Sequence, residues 1–193
     1  MMTMEKIKQY FEKLVPFNDQ DWGLFSEKLK RVTYARGETI LNDGDVESRL
    51  SFLETGMVRF YLLDPNCERE LTFSFAFENS FFSGYDSFLS RTPANYRIEA
   101  LADCEVWQIS FEDLTLIYNT TKVGDLIGRK VAESLYAAKM KRELSLLKDN
   151  PKERYLDLLR HQPHLYKLIP LKYLASYIGV RPQSLSRIRR QIN

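Results

Sequence analysis

The chain has 193 residues, 44% of them apolar, with a formal charge of +2 and two cysteines. That length suits one domain of ordinary size plus a small second one, and no apolar run approaches the roughly 20 residues of a membrane span. The cysteines, Cys67 and Cys104, are too few for an iron–sulfur cluster within one chain and suit a reducing compartment. The start, MMTMEKIKQYFEKL, has charges spread through it and lacks a signal peptide's uninterrupted apolar stretch, so a cytoplasmic protein with buried thiols is expected.

Residues 3–30 read as helical. Ile7, Tyr10, Phe11 and Leu14 make one apolar face, a break falls at Pro16 and Asn18, and DQDWGLFSEKL forms a second short helix. From Arg31 the period changes. Turn signals at Arg36-Gly37, Asn42-Asp43-Gly44, Thr55-Gly56 and Asp64-Pro65-Asn66 punctuate short β-type runs. The clearest is ELTFSFAFE, where Leu71, Phe73, Phe75 and Phe77 alternate with Thr72, Ser74 and Ala76 and give one large-apolar face. MVRFYLL is its expected hairpin partner, and YRIEAL and CEVWQIS carry the pattern to Ser110. Many short strands with regular turns imply an antiparallel β-roll, jelly roll or barrel. The fold class expected is α+β.

After Ser110 the strands stop. FEDLTLIYN is a short helix, and a long one runs from about 122 to 148 with no proline. Ile127, Val131, Leu135 and Ala138 line one of its faces; Tyr136, Met140, Leu144 and Leu147 line another. Two apolar stripes must bury two sides. A core helix of a larger bundle would do so, but few other helices are left to cover it. A dimer helix, with Ile127, Val131, Leu135 and Ala138 as its residues, is therefore expected. Gly124 and Gly128 would admit a close neighbour. Asn150, Pro151 and Glu153 make a fresh helix start with a capping box, which divides the chain into 1–148 and 149–193.

Charge is divided too. All 26 acidic residues lie in 1–157, against 21 basic ones, so that segment is −5; residues 158–193 carry seven Lys/Arg and no acid, hence +7. A basic end on an acidic body points to an anionic partner, nucleic acid or membrane. In this end, Leu171, Leu174, Ala175 and Ile178 follow helical spacing, and Gly179 stands where a left-handed C-terminal residue is needed. A three-residue corner leads to a helix starting at Pro182, with Leu185, Ile188 and Ile192 inward. Two short helices joined by a glycine turn form a helix-turn-helix. Gln183, Arg187 and Arg190 lie outward, with Ser184, Ser186 and Arg189 beside them. Arg and Gln can grip guanine and adenine edges bidentately, while Arg189, Arg190, Lys172, hydroxyls such as Ser184 and the helix N-terminus can hold phosphate; Arg181 is a further DNA-binding candidate. A solvated helical hairpin or a membrane-surface helix would need less, but the three large apolar residues of the last helix are required to pack the hairpin.

In this order of parts the chain resembles the Crp–Fnr superfamily of bacterial transcription regulators, Bacteroidetes-type. The resemblance rests on YARGETILNDGD, SFLETGMVRFYLLD and YLASYIGVRPQSLSRIRR. It implies a cyclic-nucleotide-binding-like β-roll, a homodimer held by the long helix, and double-stranded DNA with a palindromic site as partner. RNA polymerase is a further partner implied for such a regulator. Paired recognition helices would enter major grooves about 34 Å apart. The family's base-reading positions fall near Pro182, Gln183 and Arg187; Pro182 offers no side-chain contact, and Arg181 stands where a capping hydroxyl serves better. The family's β-hairpin wing has no counterpart before Asn193.

The family's effector cassette falls on SGYDSFLSRTPANYRIEA. Tyr85 and Asp86 follow Gly84 where the cyclic-nucleotide binders have glutamate, and Ala94-Asn95 stands where they have Arg-Ser. Arg91 could substitute; Lys139 and Met140 fall where a purine would be met. An anionic phosphate without its cation argues against cAMP and leaves another small molecule, a self-filled pocket, or oxidant sensing by the cysteines. A metal enzyme is not expected: His161 and His164 lie outside the β-rich region, and no phosphate loop or nucleophile elbow occurs. The rival class is a small-molecule sensor or interaction module that does not bind DNA.

Overall fold

A computed structural model describes residues 4–16, 18–64, 69–121, 123–161 and 168–192. Helices α1 (Glu5–Leu14) and α2 (Asp19–Lys28) precede β1 (Lys30–Tyr34), β2 (Thr39–Leu41), β3 (Arg49–Thr55), β4 (Met57–Asp64), β5 (Arg69–Phe77) and β6 (Ser80–Phe82). A short helix, α3 (Tyr85–Ser90), separates these from β7 (Arg97–Ala100) and β8 (Cys104–Ser110). Then come α4 (Phe111–Thr120), α5 (Gly124–Lys148), α6 (Pro151–His161), α7 (Leu171–Ile178) and α8 (Pro182–Ile192). The strands form two four-stranded sheets, ordered β1-β8-β3-β6 and β2-β7-β4-β5. Each pairing with a resolved register is antiparallel, so the β-roll and the α+β class stand as expected. Cys67 and His164 lie outside the described residues, as does the side chain of His161.

The chain divides into two compact units, residues 1–59 with 75–134, and residues 60–74 with 135–193. In the first, α1 turns Ile7 and Phe11 inward. The Phe11 ring lies 5.5 Å from Phe81 and 5.2 Å from Phe25, and Phe52 lies 5.0 Å from Phe81. These aromatic contacts fix the leading helices on the β1-β8-β3-β6 sheet. The Asn18 side chain accepts from the Asp21 N–H and closes the expected helix start. Below it, the buried Trp107 donates from Nε1 to Glu54 at 2.5 Å. In the second unit Tyr155, Ile169, Leu174, Ala175, Ile178 and Leu185 are buried.

Three details differ from the sequence expectation. The β-rich region contains α3, whose six residues are too few to show a helical period; it ends on Arg91 in the left-handed conformation at φ 58°. On β5 the large residues Leu71, Phe73, Phe75 and Phe77 are only half-buried, while Thr72 and Ala76 are buried. That strand is the edge of its sheet, so alternation marks its two faces without saying which one is covered. The close neighbour of Gly124 and Gly128 is in the same unit. A Cβ on Gly128 would meet the Tyr118 ring of α4 at 2.6 Å, and one on Gly124 would meet Thr121 Oγ1 at 2.7 Å.

Candidate nucleic-acid interface and sensor cleft

The second unit builds its site from the α7–α8 hairpin. Leu174, Ala175 and Ile178 of α7 and Leu185 of α8 are all buried, and they hold the two helices together. Gly179 takes φ 85° and ψ 36°, its N–H donates to the Ala175 and Ser176 carbonyls, and the Val180 N–H returns to Ala175 at 2.9 Å. This left-handed cap turns the chain sharply into α8. The Arg181 carbonyl accepts from the Ser184 and Leu185 N–H groups, so α8 starts on backbone bonds.

This packing leaves Arg181, Gln183, Ser184, Arg187 and Arg190 exposed on one side, with Lys172 exposed at the start of α7 and Arg189 half-buried. Gln183 and Arg187 are one turn apart and share a face. Lys172 Nζ stands 4.5 Å over the Tyr173 ring. The structure thus brings the seven nucleic-acid-binding candidates into one helical hairpin.

Two arginines that sequence reasoning did not select hold the hairpin. Arg142, on α5, donates to the Tyr177 carbonyl and lies 3.9 Å over the Tyr177 ring. Arg154, on α6, donates from Nε to the Ile178 carbonyl at 2.8 Å and also to the Asp149 carbonyl. Both cations therefore satisfy orphan carbonyls at the C-terminus of α7, where the helix dipole favours positive charge. Burial holds Arg142 below the ordinary arginine range. Such contacts are long-range, and no local spacing signals them. Opposite, Ser176 Oγ accepts from the Thr72 N–H at 2.9 Å and donates to the Glu70 carbonyl at 3.1 Å. That hydroxyl joins edge strand β5 to α7. An open groove of about 470 Å³ lies here, lined by Arg69, Glu70, Lys172, Ser176, Arg181 and Gln183 among others.

On α5 the two stripes have different fates. Ile127 and Val131 are buried by their own unit, Leu135 is half-buried and Ala138 exposed. Tyr136, Leu144 and Leu147 are exposed at 68%, 50% and 80%. The first half of the expected dimer stripe is thus already covered by its own chain, and the other stripe is the open one.

In the first unit the cassette residues Gly84, Tyr85, Asp86, Arg91 and Asn95 surround α3, while Lys139 and Met140 belong to the second unit. Glu47, missed in the sequence, is the hub. Its buried carboxylate accepts from the N–H groups of Arg49 at 2.9 Å and Gly84 at 3.3 Å, and burial raises its pKa. Its N–H donates to Ser87 Oγ at 3.0 Å, and its carbonyl accepts from Arg91 Nη1 at 2.6 Å. Arg91 also stacks 4.4 Å over Phe111. Asp86 accepts from the Tyr96 hydroxyl, and burial followed by that bond raises the tyrosine's pKa. Tyr85 stacks on Phe88, and Asn95 is exposed. Beside Glu47 a cleft of about 310 Å³ is lined by Tyr34, Asp45, Ser48, Arg49 and Gln108 among others.

Residues 31–121 match the family model of the cyclic nucleotide-binding domain. No match is found among curated protein sequences. Among solved structures, the c-di-GMP responsive global regulator CLP of Xanthomonas campestris superimposes with a TM-score of 0.70 at 15% identity, over 91% of each chain. FixK2 of Bradyrhizobium japonicum gives 0.71 at 18%, over 85% of this chain and 84% of that one. A chain described as a regulator of the crp/fnr family from Eubacterium rectale gives 0.69 at 19%, over 91% and 83%. The fold is the one these regulators share: a β-rich region, the part that matches the cyclic nucleotide-binding domain model, followed by a helical C-terminal region.

The cassette residues are engaged within their own unit. Ala94 is buried, and its backbone is spent on Gly44 and Asp45. Arg91 is engaged by the Glu47 carbonyl and Phe111. A Cβ on Gly84 would meet Leu41 at 2.6 Å and the Tyr96 hydroxyl at 3.4 Å, so that cradle is filled from within. The nearby carboxylates of Glu47 and Asp86 would oppose an anion.

Proposed function

We propose that this chain, a cyclic nucleotide-binding domain of Crp/Fnr fold joined to a helix-turn-helix, is a homodimeric DNA-binding transcription regulator whose effector is not cAMP. The observation that carries the reading is the exposed Gln183–Arg187 strip on α8, held on a buried hairpin in a segment of charge +7. Gln183 and Arg187 supply base contacts in a major groove. Arg181, Arg189, Arg190, Ser184 and Lys172 supply phosphate contacts and salt sensitivity.

The dimer forms through the second half of α5, where Tyr136, Leu144 and Leu147 are exposed beside the half-buried Met140. A second copy presenting the same stripe covers it by two-fold symmetry. Two α8 helices then meet a palindromic duplex. A signal in the β-roll acts by turning α5, and Arg142 passes that turn to α7. The effector is a small molecule other than cAMP, or the domain works by dimerisation alone.

The test is fluorescence anisotropy with labelled genomic duplex across a salt series. Expected is submicromolar binding that weakens steeply with salt. Absence of any binding, or binding indifferent to salt, would leave a sensor module without a DNA role.

A further inference from the structure

We infer that Arg69 of β5 is a DNA phosphate contact, so that the edge of the β-roll hairpin grips the duplex beside the helix-turn-helix. This rests on the DNA-binding reading and extends it to a residue outside the C-terminal segment. Three exposed cations, Arg69, Lys172 and Arg181, line one groove together with Gln183, the first outward residue of the recognition helix. The groove is open and about 470 Å³ in size. A phosphate at its rim would meet point charges and a guanidinium fork together.

The placement of Arg69 has a cause. Ser176 acts as a substitute strand partner for β5: it takes the Thr72 N–H at 2.9 Å and gives to the Glu70 carbonyl at 3.1 Å. An edge strand needs such a partner, and here it comes from the positioning helix α7. Arg69 is thereby fixed one residue from the latch. Glu70 lines the same groove and opposes an incoming phosphate. The result is a graded surface on which charge changes on β5 should read out in DNA affinity with opposite signs.

Salt titrations of DNA binding with the full-length protein test this. The variants are Arg69→Ala, Glu70→Gln, Ser176→Ala and the hairpin variant Lys172→Ala, each checked for an unchanged melting temperature. One phosphate contact per protomer contributes about 0.9 to the slope of log K against log salt. Arg69→Ala should flatten the dimer's slope by roughly twice that, weaken binding about tenfold or more near physiological salt, and leave sequence preference intact. Glu70→Gln should strengthen binding. Ser176→Ala should reproduce the Arg69→Ala loss, and the double variant should lose little more than either single one. A wild-type slope for Arg69→Ala beside a flattened slope for Lys172→Ala would overturn the inference and keep the DNA reading. Tighter binding by Ser176→Ala would also overturn it, since the hairpin would then shield the helix. Failure of the wild type to bind any duplex would remove the DNA reading itself, and the inference with it.

Discussion

The guanidinium of Arg142 lies 3.9 Å over the Tyr177 ring and donates to the Tyr177 carbonyl. A residue of the long helix thus holds the last turn of α7 by its backbone and its side chain at once. A hydrogen bond from a charged donor is worth about 1.5–3 kcal/mol, and a desolvated cation–π contact about 2 kcal/mol. The two share one cation and do not add. Burial opposes them, since Arg142 Nε is buried without a hydrogen-bond partner.

Arg142→Met keeps the volume and removes both contacts. It should cost about 2 kcal/mol, lowering Tm by roughly 4–8 °C for a chain of this size. Calorimetry checks it; an unchanged Tm would mean that the two contacts contribute nothing beyond the cost of burying the cation.

Gly179→Ala isolates the corner. The nearest atom to an added Cβ is the Arg154 guanidinium at 3.5 Å, an ordinary contact, so the cost comes from φ 85° alone. That is about 1 kcal/mol. Chemical denaturation should show the midpoint falling with an unchanged m-value.

The two stripes of α5 predict opposite phenotypes. Leu147→Asp or Leu144→Asp places charge on an open surface and should give a folded monomer by sedimentation. Ile127→Asp or Val131→Asp buries a charge in the first unit and should lower Tm by several degrees or prevent folding. A Leu147→Asp protein that stays dimeric would move the interface elsewhere.

Cys104 is buried, its thiol bonded to the carbonyls of Met57 and Ala102, and burial raises its pKa. Less thiolate means less nucleophile at neutral pH. In a Cys67→Ala background, Cys104 should react with a thiol probe at the rate of unfolding, not of encounter. Fast labelling of the native protein would reopen oxidant sensing.

The sequence was legible wherever the signal is local. The change from helical to alternating period at Arg31, the capping box at Asn150 and Glu153, and the glycine corner at Gly179 each depend on neighbours within a few residues. The structure has them: the Asn150 side chain accepts from the Lys152 and Glu153 N–H groups, and Glu153 returns to the Asn150 N–H at 2.8 Å. The exposed face of α8 was legible for the same reason. Glu47, Arg142, Arg154 and Ser176 were not, because each has a partner that lies 24 to 106 residues away. A pattern in one strand cannot name them. The half-buried phenylalanines of β5 show the same limit, since alternation distinguishes faces but burial depends on what tertiary structure brings.

The most direct test of the DNA-binding account is selection from a random duplex library with the wild-type protein, beside Gln183→Ala/Arg187→Ala. Expected for the wild type is enrichment of an inverted repeat whose half-sites are spaced about one helical turn apart, lost in the double variant while its Tm stays put. Enrichment that survives in the double variant, or no enriched sequence at all with a folded dimer, would contradict α8 as the reader of DNA.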